Sequence, residues 1–413
     1  MSLPQITDDG IGGYVFEWNP DGIRIEATRL KSHTDGRVMG EVVISTTKPG
    51  VKHSHLHQAQ FNFSSSVSRD RLARSLDGRY GEVDWGVILE QLCVYALERV
   101  RRGEPVLTLW SDGKAQPPEF LLEPFLIRDY PTVIFGDPSA FKSSLSLFFY
   151  AVLLLPWHDN PLSLIPKGKP TKVLYLDWET EPETIRWQLT RLERGMTLQN
   201  IPLSYRRCSL PLAQDIEAVR RAITDSGAEA IVVDSLGLAC GGELKESPPS
   251  LAFFTALRQL KVTTLILAHT AKNPETKKRS IYGSVFFEVH ARSIWEIKKV
   301  QEIGEDEIDV ALFHRKPPPF QKLYPAIGLN IKFTTDTIVV NQQDVRSVRE
   351  FVSAMGTQSQ IQSLLANGPM NTKEIIEALD ASKGSIDMAI KRLKDKNKIV
   401  KLASGAFGLA HNE

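Results

Sequence analysis

The residues with the clearest chemical potential lie in segment 135–144, which reads Phe-Gly-Asp-Pro-Ser-Ala-Phe-Lys-Ser-Ser. A β-branched apolar stretch precedes this segment and the apolar stretch 144–155 follows it, so the segment is predicted to join a buried strand to a helix. In that setting backbone N–H groups face phosphates, a lysine reaches the β- and γ-phosphates, and a serine hydroxyl binds Mg²⁺. The pattern therefore predicts a phosphate-binding loop. The residues assigned to this nucleotide site are Gly136, Asp137, Pro138, Ser139, Ala140, Phe141, Lys142, Ser143 and Ser144.

Position 141 departs from the general motif for such loops. The motif G-x-x-x-x-G-K-[ST] has glycine immediately before the lysine, whereas this chain has Phe141 before Lys142. A phosphate-binding loop at this place therefore requires the Phe141 side chain to point away from the phosphates. The alternative interpretation is a simple turn before a core helix.

Acidic residues end the next apolar stretch, 172–177. Its last residue is Asp177, and Glu179 follows two positions later. Ligands of open α/β sheets bind at the carboxyl ends of the strands, so both carboxylates are predicted to face the crevice of the phosphate-binding loop. We expect Glu179 to polarise the attacking water, with Glu181 as the alternative.

Two more apolar stretches end in polar residues that suit the same crevice. Stretch 228–234 ends in Asp234, and stretch 263–269 ends in His269. We expect Asp234 to hold Mg²⁺ together with Ser143, because hard cations prefer oxygen ligands. His269 is a candidate sensor of the γ-phosphate, with a satisfied polar strand end as the alternative.

Two basic segments follow these strands. The first, between positions 271 and 282, carries four cations and a tyrosine, and it is the best candidate for binding the phosphates of a nucleic-acid strand, although a solvated charge run is the simpler interpretation. Its cations are Lys272, Lys277, Lys278 and Arg279. The second is a predicted loop that begins at His314. There Arg315 is a candidate finger for the nucleotide of a neighbouring subunit, with Arg292 as the alternative.

The C-terminal region, 346–413, is predicted to form a winged helix. Three helical patterns, 359–365, 371–379 and 382–397, precede a short hairpin. The third helix has an apolar face and an outward basic face, which suits entry into a DNA groove. The outward cations assigned to DNA binding are Lys383, Lys391 and Arg392. A protein-binding winged helix with solvated lysines is the alternative.

The N-terminal region, 1–109, is predicted to be a β-rich domain with a helical segment. Alternating strands separated by turn residues occupy its first half, and the helical pattern 84–102 has a cap at Asp84 and a stop at Gly103. A proline-rich connector leads into the central domain, predicted to span 110–345. Together the three predicted domains cover residues 1–413.

Composition limits the classes of protein to which this chain can belong. The chain has 413 residues, 42% hydrophobic and 24% charged, which are ordinary values for folded domains and exclude wholesale disorder. A net charge of +1 gives no global sign of nucleic-acid binding. Three separated cysteines favour a reducing cytoplasm. The longest apolar run is too short to span a bilayer, so no membrane contact is expected.

The order of these motifs resembles that of the RecA-fold ATPases. Within them the chain is most similar to the RepA-type hexameric helicases of plasmids and phages, and more distantly to replicative helicases of the DnaB type, over residues 110–335. The resemblance implies an α/β RecA-like P-loop core, between an N-terminal β-rich α+β domain and a C-terminal winged helix. It further implies a ring of six subunits with ATP and Mg²⁺ between them and single-stranded DNA in a central channel. The implied catalytic residues are Lys142, Glu179, Asp234, His269 and, from the neighbouring subunit, Arg315.

Two functions from different classes therefore remain open. The first is an ATP-dependent DNA helicase or translocase whose winged helix recruits it to duplex DNA. The second is a DNA-binding ATPase that does not unwind and acts as a loader, partition or regulatory switch. A small-molecule kinase is a weaker third possibility, because the sequence has no evident lid or acceptor pocket.

Overall fold

The computed structural model describes residues 2–9, 12–48, 53–103, 106–111, 113–114, 116–199, 201–271 and 280–410. The chain divides into two compact units, Met1–Gln116 and Pro117–Glu413. The first division was predicted seven residues earlier, at 109/110. The domain boundary predicted at 345/346 lies inside the second unit, so it stays a prediction.

The first unit is an antiparallel meander of five strands that packs against two helices. Consecutive strands are neighbours in the sheet, and each pair is antiparallel. The elements are β1 (Gln5–Asp8), β2 (Tyr14–Trp18), β3 (Ile23–Ser32), β4 (Val38–Thr46), β5 (His55–Asn62), α1 (Ser66–Asp77) and α2 (Trp85–Arg102). Buried and partly exposed residues alternate along β4, as expected for a sheet with one covered face. The predicted caps are confirmed, since the Asp84 side chain accepts from Val87 N–H and Gly103 ends α2.

The second unit is built around a sheet of nine strands. The strand order is β11-β10-β12-β13-β8-β14-β15-β16-β17, with parallel pairing from β11 to β14 and antiparallel pairing beyond it. These strands are β8 (Pro131–Gly136), β10 (Val173–Asp177), β11 (Ser204–Arg207), β12 (Ala230–Asp234), β13 (Thr263–His269), β14 (Ser293–Val300), β15 (Glu307–Lys316), β16 (Ile327–Phe333) and β17 (Ile338–Gln343). The short strands β6 (Phe120–Glu123), β7 (Leu126–Ile127) and β9 (Ile165–Pro166) form a separate small sheet.

Helices connect the parallel strands, as right-handed crossovers require. They are α3 (Lys142–Leu154), α4 (Pro182–Met196), α5 (Leu212–Ser226), α6 (Leu236–Cys240), α7 (Ser247–Leu260) and α8 (Phe286–His290). Two apolar clusters bury the sheet, one including α3 and α4 and the other including α5 to α8. The strand residues of β10 and β12 are all buried, which explains why they are continuous apolar runs rather than alternating ones.

The last part of the second unit contains the elements expected for a winged helix, in the expected order. They are α10 (Thr357–Ala366), α11 (Thr372–Leu379), α12 (Lys383–Asp395), β18 (Ile399–Lys401) and β19 (Phe407–Leu409), and the short helix α9 (Arg349–Val352), which was not predicted, precedes them. Asn371 and Glu374 form the capping box at the start of α11. The three longer helices share a core with the hairpin that β18 and β19 form. The winged-helix assignment itself stays a prediction.

One predicted loop is wrong. The basic segment that begins at His314 was expected to follow a strand, but β15 continues to Lys316. The reason is pairing, because Lys316 and His314 lie opposite Ile294 and Trp295 of β14. These side chains therefore have the fixed positions of a sheet.

Candidate nucleotide-binding and hydrolysis site

The phosphate-binding loop joins β8 to α3, as predicted. Gly136 ends β8 beside Ile297 of β14, and a Cβ atom at position 136 would lie 2.4 Å from Ile297 Cγ2 and 2.6 Å from its carbonyl oxygen. Glycine is therefore required here by the close approach of β14.

Phe141 lies immediately before α3 in the left-handed backbone region, with φ +70° and ψ +19°. This is the conformation that glycine adopts without steric cost, so the backbone keeps the shape that the general motif specifies even though the side chain differs. The Phe141 side chain is half-buried and packs against the larger apolar cluster of the second unit. A phosphate-binding loop requires the Phe141 side chain to point away from the phosphates, and this requirement is met because the ring lies against the core.

Lys142 is buried at the first position of α3. Its Nζ donates hydrogen bonds to the carbonyl oxygens of Gly136, at 3.2 Å, and Asp137, at 2.9 Å. Burial lowers the pKa of Lys142, while the nearby carboxylates of Asp234, Glu179 and Asp137 oppose that shift. The ammonium group therefore lies between loop carbonyl oxygens and nearby carboxylates, next to the residues predicted to surround the phosphates.

Asp234 ends β12 and is buried. It accepts a hydrogen bond from Tyr175 Oη at 2.6 Å, and the Ser143 hydroxyl also bonds to it. Burial raises the pKa of Asp234, and the hydrogen bonds from Tyr175 and Ser143 oppose this rise. The predicted pair of Ser143 and Asp234 is thus in contact.

The donor set of this pair fits Mg²⁺. A hydroxyl and a carboxylate are hard oxygen ligands, and Mg²⁺ is usually bound through one or two carboxylates together with substrate phosphates and waters. Within the described residues, no group of three His, Cys, Asp or Glu side chains forms a fuller metal cage. Mg²⁺ bound by Ser143 and Asp234 would neutralise charge on the β- and γ-phosphates.

Glu179 lies between Asp234 and His269 at the carboxyl edge of the sheet. Its carboxylate accepts from the Ser235 hydroxyl, and His269 Nε2 lies 3.5 Å from Glu179 Oε1. The hydrogen bond from His269 is the largest cause that lowers the pKa of Glu179, and Ser235 and Lys142 add to it. Glu179 is therefore ionised at neutral pH, as a residue that orients and polarises water must be.

The position of Glu179 is fixed by Asp177, which is fully buried. Asp177 accepts from the backbone N–H groups of Glu179 and Thr180, at 2.8 and 3.0 Å, and from the Thr180 hydroxyl at 2.6 Å. Tyr205 Oη donates to the same carboxylate at 3.0 Å. Asp177 is therefore a positioning residue, whereas the sequence suggested that it faces the crevice.

His269 ends β13 directly opposite Gly136 of β8. Its Nδ1 is buried and has no hydrogen-bond partner among the described residues, and the same is true of the Thr270 hydroxyl. Unpaired buried polar atoms are costly, so two of them beside a phosphate-binding loop indicate where phosphate oxygens would bind. Ser144, by contrast, already donates to Gln188 Oε1 at 2.7 Å.

Arg315 lies apart from this cluster, on β15. Its guanidinium donates to Glu296 Oε2 at 2.8 and 2.5 Å, contacts the Ala354 carbonyl at 3.3 Å, and lies 4.8 Å from the ring centroid of Phe313. Arg292, the alternative finger, lies 5.7 Å from the ring centroid of Tyr130. A role of either arginine at a neighbouring nucleotide stays a prediction.

The predicted DNA-binding cations divide into two groups. Lys272, Lys277, Lys278 and Arg279 lie outside the described residues. Lys383, Lys391 and Arg392 are exposed on α12. No helix in the described part of the chain is long and apolar enough to cross a membrane.

Sequence reasoning missed three members of the site: Tyr175, Ser235 and Thr180. Tyr175 precedes Asp177 by two positions in β10, so both side chains point to the same face, and only a neighbouring strand could show its partner. Ser235 was visible as the residue after Asp234. Its contact with Glu179 joins residues 56 positions apart, which local patterns do not reveal.

Comparison with known proteins gives one family match. Residues 97–275 match the model of the AAA domain, a range that includes the loop, Glu179, Asp234 and His269. No curated protein matches the chain. A solved structure, that of a KaiC-like protein from the hyperthermophilic archaeon Pyrococcus horikoshii OT3, aligns with 53% of this chain and 93% of its own, at 14% identity and a TM-score of 0.37. The family match and the site geometry together support the assignment of the central region as a P-loop ATPase domain.

Proposed function

We propose that the chain is an ATP-driven DNA motor of the RepA-like helicase type, a ring of six subunits that hydrolyses ATP between subunits and moves along single-stranded DNA. The observation that carries this proposal is the direct connection between the γ-phosphate side of the site and the basic segment. His269 contacts Glu179, and Lys272, the first cation of the basic segment, follows three residues later. In the proposed function this connection links hydrolysis to the DNA.

The hydrolysis step requires positioning and charge stabilisation more than covalent chemistry. Lys142 supplies a buried positive charge at the phosphates, and Glu179 supplies an ionised carboxylate for the attacking water. His269 contacts that carboxylate through Nε2. With a proton on both ring nitrogens, His269 would also donate from Nδ1 to a phosphate oxygen, which would let the histidine report whether the γ-phosphate is present.

The described residues on the two sides of positions 272–279 are paired with one another. Thr270 and Ile281 form an antiparallel bridge, Ala271 N–H donates to the Ser280 carbonyl at 2.9 Å, and Tyr282 N–H donates to the His269 carbonyl at 2.9 Å. Tyr282 is therefore hydrogen-bonded to the backbone of His269, and the residues that follow His269 are paired with those that precede Tyr282. A shift of His269 on phosphate release would move both sides together.

A non-unwinding switch is the second candidate, and the environment of Arg315 favours it. This arginine is bound inside its own chain by Glu296, whose side chain is 3% exposed. A finger that acts across a subunit interface would have to leave this partner. In the switch function ATP binding assembles the protein on DNA, and no such exchange is needed.

The first experiment is steady-state ATP hydrolysis with Mg²⁺, with and without single-stranded DNA. We expect the strand to stimulate wild-type turnover and Lys142→Ala to abolish it. Glu179→Gln should lower turnover by about 10²-fold or more while nucleotide binding persists, since it removes the polarising charge only. Glu183→Gln, an exposed carboxylate on α4, is the control and should behave as wild type. Unchanged turnover in Lys142→Ala would contradict the site assignment.

The same assay tests the link to DNA. Replacement of Lys277, Lys278 and Arg279 by alanine together should remove the stimulation, because these are the cations predicted to bind the phosphates of the strand. Basal hydrolysis should persist, because the substitutions leave Lys142 and Glu179 unchanged. Strand displacement then separates the two candidates. A motor unwinds duplex DNA in the presence of ATP, whereas a switch binds it without unwinding.

A further inference from the structure

A cleft of about 520 Å³ opens at the amino ends of the central strands. Pro131, the first residue of β8, and Thr264, near the start of β13, contribute to its lining. The phosphate-binding loop and His269 lie at the carboxyl ends of these same strands. The cleft is therefore on the opposite edge of the sheet from the hydrolysis site.

Positive charge is concentrated at this cleft. Arg258, Lys261 and Arg292 line it, and Asp129 is the one carboxylate among its lining residues. Three cations against one carboxylate contrast with a net charge of only +1 for the whole chain. Clefts lined by one sign of charge focus the electrostatic potential and attract ligands of the opposite sign. The ligand expected here is an anion.

His290 supplies a second, independent sign of a ligand. Its ring packs against Phe254 and Phe286, with centroid distances of 5.2 and 5.9 Å, and its Nε2 is buried with no hydrogen-bond partner among the described residues. A buried nitrogen without a partner costs free energy that a ligand oxygen would recover. His290 also lines the cleft, so this nitrogen is placed to meet such an oxygen.

The cleft is also lined by aromatic rings, which could stack against a base. Tyr130 and Phe254 line the cleft, and the Arg292 guanidinium lies 5.7 Å from the Tyr130 ring centroid. Bases stack on aromatic rings and on guanidinium planes. The volume lies in the range of pockets that hold small molecules. Charge, size and aromatic lining together fit one nucleotide.

We propose that this cleft is a second nucleotide-binding site, in which Arg258, Lys261 and His290 bind a phosphate and Tyr130 and Arg292 stack against a base. The nucleotide has two possible sources, a free mononucleotide or one unit of a single strand. Only the strand source rests on the proposed DNA function. Neither source requires the phosphate-binding loop.

The test is calorimetric titration of the full chain with thymidine monophosphate and, separately, with oligothymidylate. Thymidine monophosphate lacks the β- and γ-phosphates that Lys142 is expected to reach. Arg258→Glu should weaken binding about tenfold or more, since a charged hydrogen bond is worth about 1.5–3 kcal/mol. Arg221→Glu, an exposed arginine on α5, is the charge-matched control and should bind as wild type. Loss with both probes assigns the mononucleotide source, and loss with the oligonucleotide alone assigns the strand.

His290→Phe gives a second readout, because phenylalanine keeps the ring contacts and removes Nε2. We expect about threefold to tenfold weaker binding with the fold intact. Equal affinities of Arg258→Glu and Arg221→Glu for both probes would overturn the proposal, and Arg258 would then serve only the end of α7. ATP hydrolysis without DNA should be unchanged in Arg258→Glu, so failure of this site is distinguishable from failure of the ATPase assignment.

Discussion

Phe141 shows how a residue can depart from a motif while the backbone keeps its shape. The left-handed conformation costs a non-glycine residue about 1–2 kcal/mol, and the half-buried ring offsets part of that cost by packing against the core. The general motif has glycine here because glycine takes this conformation freely. At position 141 the chain therefore has a less favourable backbone conformation than glycine would have, and it gains the apolar contacts of the ring.

Because of this balance, we expect the usual order of stability of alanine and glycine variants to be reversed at position 141. Phe141→Ala should lose the packing and keep the strained backbone, whereas Phe141→Gly loses the packing and relieves the strain. We therefore expect Phe141→Gly to be more stable than Phe141→Ala by about 1 kcal/mol, against the usual preference for alanine. Urea denaturation measures the difference. If alanine proves the more stable variant, position 141 does not have a left-handed backbone.

His314 gives a prediction about pH. Burial lowers the pKa of His314 to about 4, and its ring lies between Trp295, 4.2 Å away and parallel, and the Tyr324 N–H, which donates to Nδ1 at 3.0 Å. The folded-state pKa is below the unfolded value of about 6.5, so the unfolded chain binds the extra proton between those values. Stability should thus be complete above pH 6.5 and fall as the pH drops towards 4, by up to about 3 kcal/mol.

His314→Gln removes this titration. Denaturation measured from pH 7 to pH 4 should show a smaller loss of stability for the variant than for wild type, whatever its stability at pH 7. His158→Gln, a histidine outside this packing, is the control and should keep the wild-type slope. Equal slopes for His314→Gln and wild type would show that the imidazole is not held neutral.

At the scale of elements, the fold was predictable where one local signal sufficed. The strand–loop–helix around Lys142, the acidic ends of β10 and β12, and the caps of α2 follow from short patterns, and the structure confirms them. Partners on different strands were not predictable, because they depend on strand order and register. The pair of Tyr175 and Asp234 and the pair of Glu296 and Arg315 are examples.

The α12 helix carries a prediction about duplex DNA. Lys383, Lys391 and Arg392 are exposed while the opposite face of α12 packs on the core of the C-terminal helices. If they contact phosphates, their joint replacement by alanine should weaken duplex binding and reduce the slope of log K against log salt by about 0.9 per lost contact. Lys373→Ala on α11 is the control. An unaltered slope would favour a protein partner for this region.

Ring formation belongs to the scale of the whole molecule. A hexamer of 46.2 kDa chains has a mass of about 277 kDa, which light scattering with Mg²⁺ and a slowly hydrolysed ATP analogue would detect. If neighbouring subunits complete each site, Lys142→Ala subunits mixed into wild-type rings should inhibit hydrolysis more than their share of the mixture. Inhibition in simple proportion would mean that each chain acts alone.

Arg315→Ala is a poor test of that trans arrangement. The substitution removes one of the two cations that pair with Glu296, a nearly buried carboxylate, and leaves only Lys298 at 3.8 Å, so it should also destabilise the fold. Loss of activity would therefore have two explanations. Mixing experiments with Lys142→Ala avoid this problem because they compare inhibition with the share of variant in the mixture, not the activity of the variant alone.

The carbonyl contacts of Lys142 have a thermodynamic consequence for nucleotide binding. Lys142 is 8% exposed and its ammonium is already bonded to Gly136 and Asp137, so most of its dehydration occurs when the chain folds, not when a ligand arrives. A phosphate that takes this lysine exchanges existing hydrogen bonds for stronger charged ones. The heat of that exchange is only the difference between the two sets, while the release of water comes almost entirely from the nucleotide.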